Sequence, residues 1–310
     1  MHAAVKSLII PALLSGTLFA QTVAQSTIAE KLGYDKDAIL LIVHADDIGL
    51  AQSVNAATIK AYENGGISSG SIMVPCPWTN DFASYNRDHP DLDVGIHITL
   101  NAEWENYRWD GTLPAGEIPS LLDEQGYFYS SVEDVARNAD AAEVEKEVRA
   151  QIERAITLGI EPTHLDTHMG SIGARPELFQ IYLKMGKVYQ LPLLIPRFWI
   201  QMLPEEVKSA VEEEQILVDG FFMLNQAPED GSWEKAYGAM LGQMQPGLNL
   251  MIVHLAHDNA EMQSIAIDHP EFGSAWRQKD LDFVSSHAFR KMIEKHQIHL
   301  IGWKEIKSVM

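Results

Sequence analysis

Seven short runs recur along the chain, several of them almost continuously apolar. They are Ile39–His44 (ILLIVH), Gly70–Val74 (GSIMV), Val94–Leu100 (VGIHITL), Thr163–His168 (THLDTH), Leu191–Ile195 (LPLLI), Leu250–Leu255 (LMIVHL) and Ile298–Trp303 (IHLIGW). Apolar runs without alternation are strands buried on both faces, as in a parallel sheet. Helical patterns lie between them. Val54–Asn64 stops at Gly65-Gly66, and Ala141–Leu158 carries i,i+3/i+4 apolar spacing up to Gly159. Pro176–Gly186, Pro204–Glu214, Trp233–Met244 and Ala288–His296 complete the set. With no Ser/Gly linker and no repeat period, the alternation predicts one α/β domain over residues 25–310, either a barrel or a doubly wound sheet. The irregular, acidic stretch Trp104–Asn138 reads as an excursion over one end of the sheet, where α/β folds carry binding loops.

Residues 1–24 read as an export signal. Lys6 is followed by the uncharged apolar segment Leu8–Ala20, with small residues Ala20 and Ala24 as cleavage points. That segment is too short to span a bilayer, so the expectation is a periplasmic or secreted protein without a stable membrane anchor. With 46% apolar and 21% charged residues, the chain has ample material for a core. A formal net charge of −20 repels phosphate backbones and argues against nucleic acid and anionic membranes as partners. The single cysteine, Cys76, excludes an intrachain disulfide and sits in an apolar context that suits a buried structural thiol.

The chemistry-bearing residues gather at predicted strand ends, which converge on one rim in a parallel α/β fold. His164, Asp166 and His168 stand at i, i+2 and i+4, so a regular strand would aim all three one way. Imidazole and carboxylate together suit a divalent metal; the plainer reading is a hydrogen-bonded His-Asp-His ladder. Asp46-Asp47 follows the first strand. The pair could simply cap the next helix, or one carboxylate could bind metal while its neighbour serves as general base. His97 and His254 close two further strands, and His257 is a candidate supporting or substrate-contacting residue. His44 shares a face with Asp46 only if the strand stays regular, and His89, His269, His287, His296 and His299 read as structural. Trp78, Trp104, Tyr107 and Trp109 could stack on sugar rings or merely pack.

With these motifs placed, the chain resembles the YdjC/ChbG family of carbohydrate deacetylases. The likeness covers most of residues 38–305 and rests on Val43–Gly49, Gly95–Leu100, Pro162–His168 and the late strand ending at His254. It implies a distorted (β/α) barrel of about seven parallel strands and a divalent metal, zinc first, with Mg, Mn, Ni or Co as alternatives. It also implies hydrolysis of N-acetyl groups on amino sugars or oligosaccharides, and it is compatible with a homodimer. Carried over by position, the metal ligands are Asp47, His97 and His168, the general base is Asp46, and His254 is the general acid or an orienting group. His164 and Asp166 then support the ligands or touch substrate. The chain departs from the family pattern at His44 (commonly Asn), Ile48 (commonly Phe), Gly170 (often His) and His254-Leu255-Ala256 (usually His-Pro-Gly). Two rival functions remain open at this level: a metal-independent glycoside hydrolase using carboxylates such as Asp46 and Asp166, and a non-catalytic exported sugar-binding protein.

Overall fold

The computed structural model describes residues 26–310 apart from 202, 204, 268 and 270; the export signal read over residues 1–24 lies outside them. The sheet contains β1 (Ile39–Ile48), β2 (Ser69–Ile72), β3 (Val94–Ile98), β4 (Leu165–Thr167), β5 (Gly220–Met223), β6 (Gly247–His254) and β7 (Ile298–Leu300). All pairings are parallel, in the order β4-β3-β2-β1-β6-β5, with β7 beside the start of β1. The run Leu191–Ile195 forms no full strand. It bridges Leu165 through Leu193, and Pro196 bridges Val218, so this stretch joins β4 to β5 and bends the sheet into a ring. The result is a distorted (β/α) barrel of seven parallel strands, which decides between the two architectures the alternation left open.

Strand and helix placement differ from the sequence reading in several places. β5, which reads GFFM, lies outside every predicted run. The helices Thr79–Asp88 and Ser274–Val284 also lie outside the predicted set. The Trp104–Asn138 excursion is present as short 3₁₀ turns and the helix Val132–Asn138. It is fastened by the helix Ala141–Thr157, whose apolar face buries Val144, Val148, Ile152 and Ala155. From the same helix, buried Glu147 accepts from the backbone N–H groups of Thr112 (2.8 Å) and Leu113 (3.0 Å). Gln151 pairs with both backbone groups of Thr99, at 3.0 and 2.7 Å. Thr99 follows His97 by two residues, so this helix fixes the end of β3.

Register places the reactive residues. Asp46 lies level with His254 across β1 and β6, and His97 lies level with Asp166 across β3 and β4. The β1–β2 register slips between Ala45 and Ile48, and Asp47 in that interval has φ 69°. A regular strand would send Asp46 and Asp47 to opposite faces; the irregularity turns both carboxylates toward the barrel interior. A left-handed conformation at a non-glycine residue costs on the order of 1–3 kcal/mol, so the surrounding structure must enforce it. Gly49 follows with φ 89°, and a Cβ there would come within 2.8 Å of Thr79 Oγ1. The segment Asp46–Gly49 therefore has a backbone reason for its form.

Gly95 has a packing reason. A Cβ at that position would run into the imidazole of His164, which stacks on Trp303 with ring centroids 5.0 Å apart. Gly95→Ala should lower stability by about 1–3 kcal/mol through overpacking. Gly116→Ala, where an added Cβ meets nothing within 4 Å, should change it by less than about 0.5 kcal/mol. Urea unfolding midpoints of the two variants against the unmodified chain check this.

Candidate active site

Asp47, His97 and His168 converge at the C-terminal rim from β1, β3 and the turn that follows β4. Asp47 Oδ1 lies 3.4 Å from His97 Nε2 and 3.4 Å from His168 Nδ1, and one ligand atom from each residue falls within 4.8 Å of the others. The other nitrogen of each imidazole is already engaged. His97 Nδ1 faces Asp166 Oδ1 at 2.9 Å, and His168 Nε2 faces Glu103 Oε2 at 2.9 Å. A carboxylate partner fixes the proton on the nitrogen it contacts and leaves the opposite lone pair free. Two nitrogen lone pairs and a carboxylate oxygen thus point into one small space, and Asp47 Oδ1 accepts no hydrogen bond although it is buried. Ligand bonds of about 2.1 Å in tetrahedral geometry place neighbouring ligand atoms about 3.4 Å apart. The donor set and its spacing fit a divalent cation.

The field around these atoms is strongly negative. Burial opposes charge on both imidazoles, yet Asp166 and Asp46 hold His97 well above the ordinary histidine range. Glu103 and Asp47 likewise raise His168 to about 9 against its burial. The same field that favours protons on the two imidazoles would favour a divalent cation. Asp47 itself stays ionised in spite of burial, chiefly because the Arg277 guanidinium donates to Oδ2 at 2.7 Å. Arg277 is buried and lies over the Trp104 ring, 5.5 Å from its centroid.

Asp46 stands beside the triangle. Its Oδ1 accepts no hydrogen bond; its Oδ2 is 4.0 Å from His97 Nε2 and 3.8 Å from His254 Nε2. Burial raises its carboxyl to about 6. His254 is pushed the other way, down to about 3, again by burial first. Its backbone N–H donates to Asp280 Oδ2 at 3.1 Å, and Asp280 also receives Trp233 Nε1 and Tyr237 Oη at 2.8 and 2.7 Å.

The His164-x-Asp166-x-His168 spacing resolves into three depths. Only Leu165–Thr167 is strand, and His168 opens the 3₁₀ segment His168–Gly173 at the rim. Asp166 sits one level down, accepting from Ser71 at 2.7 Å and meeting His44 Nε2 at 2.8 Å besides His97. His164 lies deeper, with Nδ1 2.9 Å from Thr163 Oγ1, away from the cavity. His44 continues the polar column downward through Ser69 (3.0 Å) to Asp93 (Ser69 Oγ to Asp93 Oδ1, 2.9 Å).

His257 is half-buried, outside the set of residues lining the cavity, with its backbone N–H on Ser53 O at 3.2 Å. His269, read as structural, is on the cavity wall beside Trp104. Trp104 and Trp109 are buried in the core, and Cys76 is buried with its thiol pushed well up by burial. Two site residues went unrecognised in the sequence. Glu103 carries no spacing signal. Arg277 does carry one: with Asp280 it lies on the apolar stripe Trp276, Leu281, Val284 of the helix Ser274–Val284, where a charge needs a partner.

The rim opens into a cavity of about 470 Å³ containing Asp46, Asp47, His168 and His254. Among the described residues no helix is long and apolar enough to cross a membrane.

The chain is similar to several known proteins. Carbohydrate deacetylases of Thermus thermophilus (30% identical, 91% of this chain and 98% of that one) and Thermoanaerobacter pseudethanolicus (29%, 86% and 99%) are similar over nearly their full lengths. A chitooligosaccharide deacetylase of Serratia marcescens is 31% identical over 51% of this chain and 60% of its own. A solved Enterococcus faecalis protein, provisionally designated a cellobiose-phosphate cleavage protein, shares the fold with a TM-score of 0.70 at 22% identity, over 87% of this chain and 99% of that one. The model of the YdjC-like protein family matches residues 40–295, a span that holds Asp46, Asp47, His97, His168, His254 and the helix of Arg277. This chain belongs to the YdjC-like family.

Proposed function

We propose that this chain hydrolyses N-acetyl groups on amino sugars or their oligosaccharides, with a divalent ion, zinc first, held by Asp47, His97 and His168. The observation that carries the reading is the triangle of candidate ligand atoms, with 3.4 Å edges at Asp47 Oδ1, beside the buried carboxylate of Asp46, whose Oδ1 lies 3.3 Å from His44 Nε2 without a hydrogen bond. The deacetylase names of the full-length relatives supply the substrate class. When bound, such an ion acidifies water and polarises a carbonyl oxygen.

The chain's own residues supply the rest. Asp46 accepts the proton of the attacking water, a role that its raised proton affinity near neutrality favours. The water oxygen joins the acetyl carbon, and the carbon–nitrogen bond breaks to leave acetate and an amine. His254 is neutral at rest. Lying 3.8 Å from Asp46 Oδ2, it takes over the proton and, being a weak base, yields it readily to the departing amine. Arg277 keeps Asp47 charged, while Asp166 and Glu103 hold the two imidazoles in the ligating tautomer. The opening segment of the chain reads as an export signal, which puts the proposed reaction in the periplasm or outside the cell.

The glycoside-hydrolase alternative needs Asp166 as a working carboxylate. Both of its oxygens are occupied by His97, His44 and Ser71, which favours the hydrolytic set centred on Asp46.

Acetate release from a panel of N-acetylated sugars, with and without chelator, tests the reading. Activity that is unaffected by chelation would sink it. Asp46→Asn should lower kcat by about 10²–10⁴-fold while the metal content stays at that of the unmodified protein. Loss of the metal together with the rate would remove Asp46 from the role of base. Glu103→Ala should weaken metal affinity by about 10–100-fold, read directly by competition with a chromogenic chelator.

A further inference from the structure

The hydrolytic residues occupy one side of the cavity; the other side is built for something apolar. On the β5 and β6 side the wall consists of Leu194, Phe221, Met223 and Ile252. Met223 pairs with Ile252, and Ile252 is two residues below His254, so this wall extends deeper than the Asp46–His254 level. None of these side chains has a hydrogen-bond donor, and the Met223 thioether is at most a weak acceptor. A pyranose has hydroxyls around most of its ring. Each one turned against such a wall gives up its water partners and gains none, at a cost of roughly 1–3 kcal/mol. Water is no better suited, because it needs two or more polar partners.

The apolar surface continues outward. Past Phe198 and Trp199 lies a second cavity of about 680 Å³, bordered also by Met169, Phe179 and Leu203. Met169 and Phe198 line both cavities, and each remains 53% exposed. The Phe198 ring packs edge-on against Phe221 at 5.9 Å, which joins the exposed mouth to the buried wall. Large apolar side chains left in the open at the edge of a reaction site mark a binding surface for an apolar group.

We propose that the preferred substrate is an amino-sugar amide bearing an alkyl or aryl group, which lies against Leu194, Phe221, Met223 and Ile252 and runs out past Trp199. The group is either an acyl chain longer than acetyl or an aglycone on the sugar. The inference rests on the hydrolytic reading above and adds the substrate's apolar part to it. The bond chemistry is the same: water oxygen adds to the acyl carbon, the carbon–nitrogen bond breaks, and a carboxylic acid and an amine leave.

Two substrate series separate the sources. One is glucosamine N-acylated with acetyl, butanoyl or hexanoyl. The other is N-acetylglucosamine, free or as its methyl, octyl and 4-nitrophenyl glycosides. Amine release gives kcat/KM for each compound. Each methylene that enters the cavity should raise kcat/KM by about fourfold. A rise along the first series assigns the wall to the acyl chain, and a rise along the second assigns it to the aglycone. In Trp199→Ala and Phe221→Ser, the ratio between the longest and shortest member of the rising series should fall toward one. Should Phe221→Ser not fold, the series on the unmodified chain still decide. Flat series with N-acetylglucosamine turned over would overturn this inference and leave the deacetylase reading standing. No amine from these compounds while N-acetylated chitooligosaccharides are turned over would overturn this inference alone, and no amine from those either would overturn both.

Discussion

Two neighbouring residues of a strand cannot both face a barrel interior, and this site needs that they do. The register slip in β1 and the left-handed backbone at Asp47 meet that need. The conformation is held from several directions. Arg277 grips one Asp47 oxygen, Gly49 leaves room for Thr79, and Asn55 Oδ1 accepts from the Gly49 N–H at 2.8 Å. With Asp47 turned inward, its free oxygen meets His97 and His168, and Asp46 places Oδ2 4.0 Å from His97 Nε2 and Oδ1 3.3 Å from His44 Nε2. Most of the polar geometry at the rim follows from that one departure from strand alternation.

The interior below the rim is organised to support it. Asp166, His44, Ser69, Ser71 and Asp93 form a connected column in the middle of a barrel otherwise filled with Leu, Ile, Val and Met. Isolated polar groups in such a core are costly; a connected set recovers the cost and fixes one arrangement. The column determines which nitrogen of His97 carries a proton, and Glu103 does the same for His168 from the excursion loop. Ligand orientation thus depends on two carboxylates reaching the imidazoles from opposite directions, one within the sheet and one above it.

Strand ends were legible in the sequence because an apolar run that stops at His or Asp identifies both the buried strand and the rim. The positions of Asp46, Asp47, His97, His168 and His254 follow from that pattern together with the family likeness. The comb at 163–168 was legible only in part. Alternation puts its members on one face, but the strand ends at Thr167, so a stack of three depths replaces a row of three ligands. Partners that arrive by tertiary packing left weaker marks. Asp47 and Arg277 are brought together by the docking of a helix against the barrel mouth, and no local period encodes that distance in the chain. β5 was not read from the sequence, although Gly220–Met223 is as long as β2; its pairing with β6 places it in the sheet.

The proton affinities at the rim order the events in a way that the bare residue list does not. Burial raises Asp46 to about 6 and lowers His254 to about 3, so at neutral pH the carboxylate is mainly ionised, the imidazole is uncharged, and Asp46 is the stronger base of the two. A resting His254 therefore cannot act as a ready-made acid. In the proposed hydrolysis it would become one only after Asp46 takes a proton from water and passes it across the 3.8 Å gap between the two strands. In that proposed scheme bond making would precede proton delivery to the amine, because the acid that cleaves the bond would be created by the base that starts the attack. The apolar wall beside His254 reinforces this order, since a dry surrounding disfavours the charged imidazole until a departing amine is present to receive its proton.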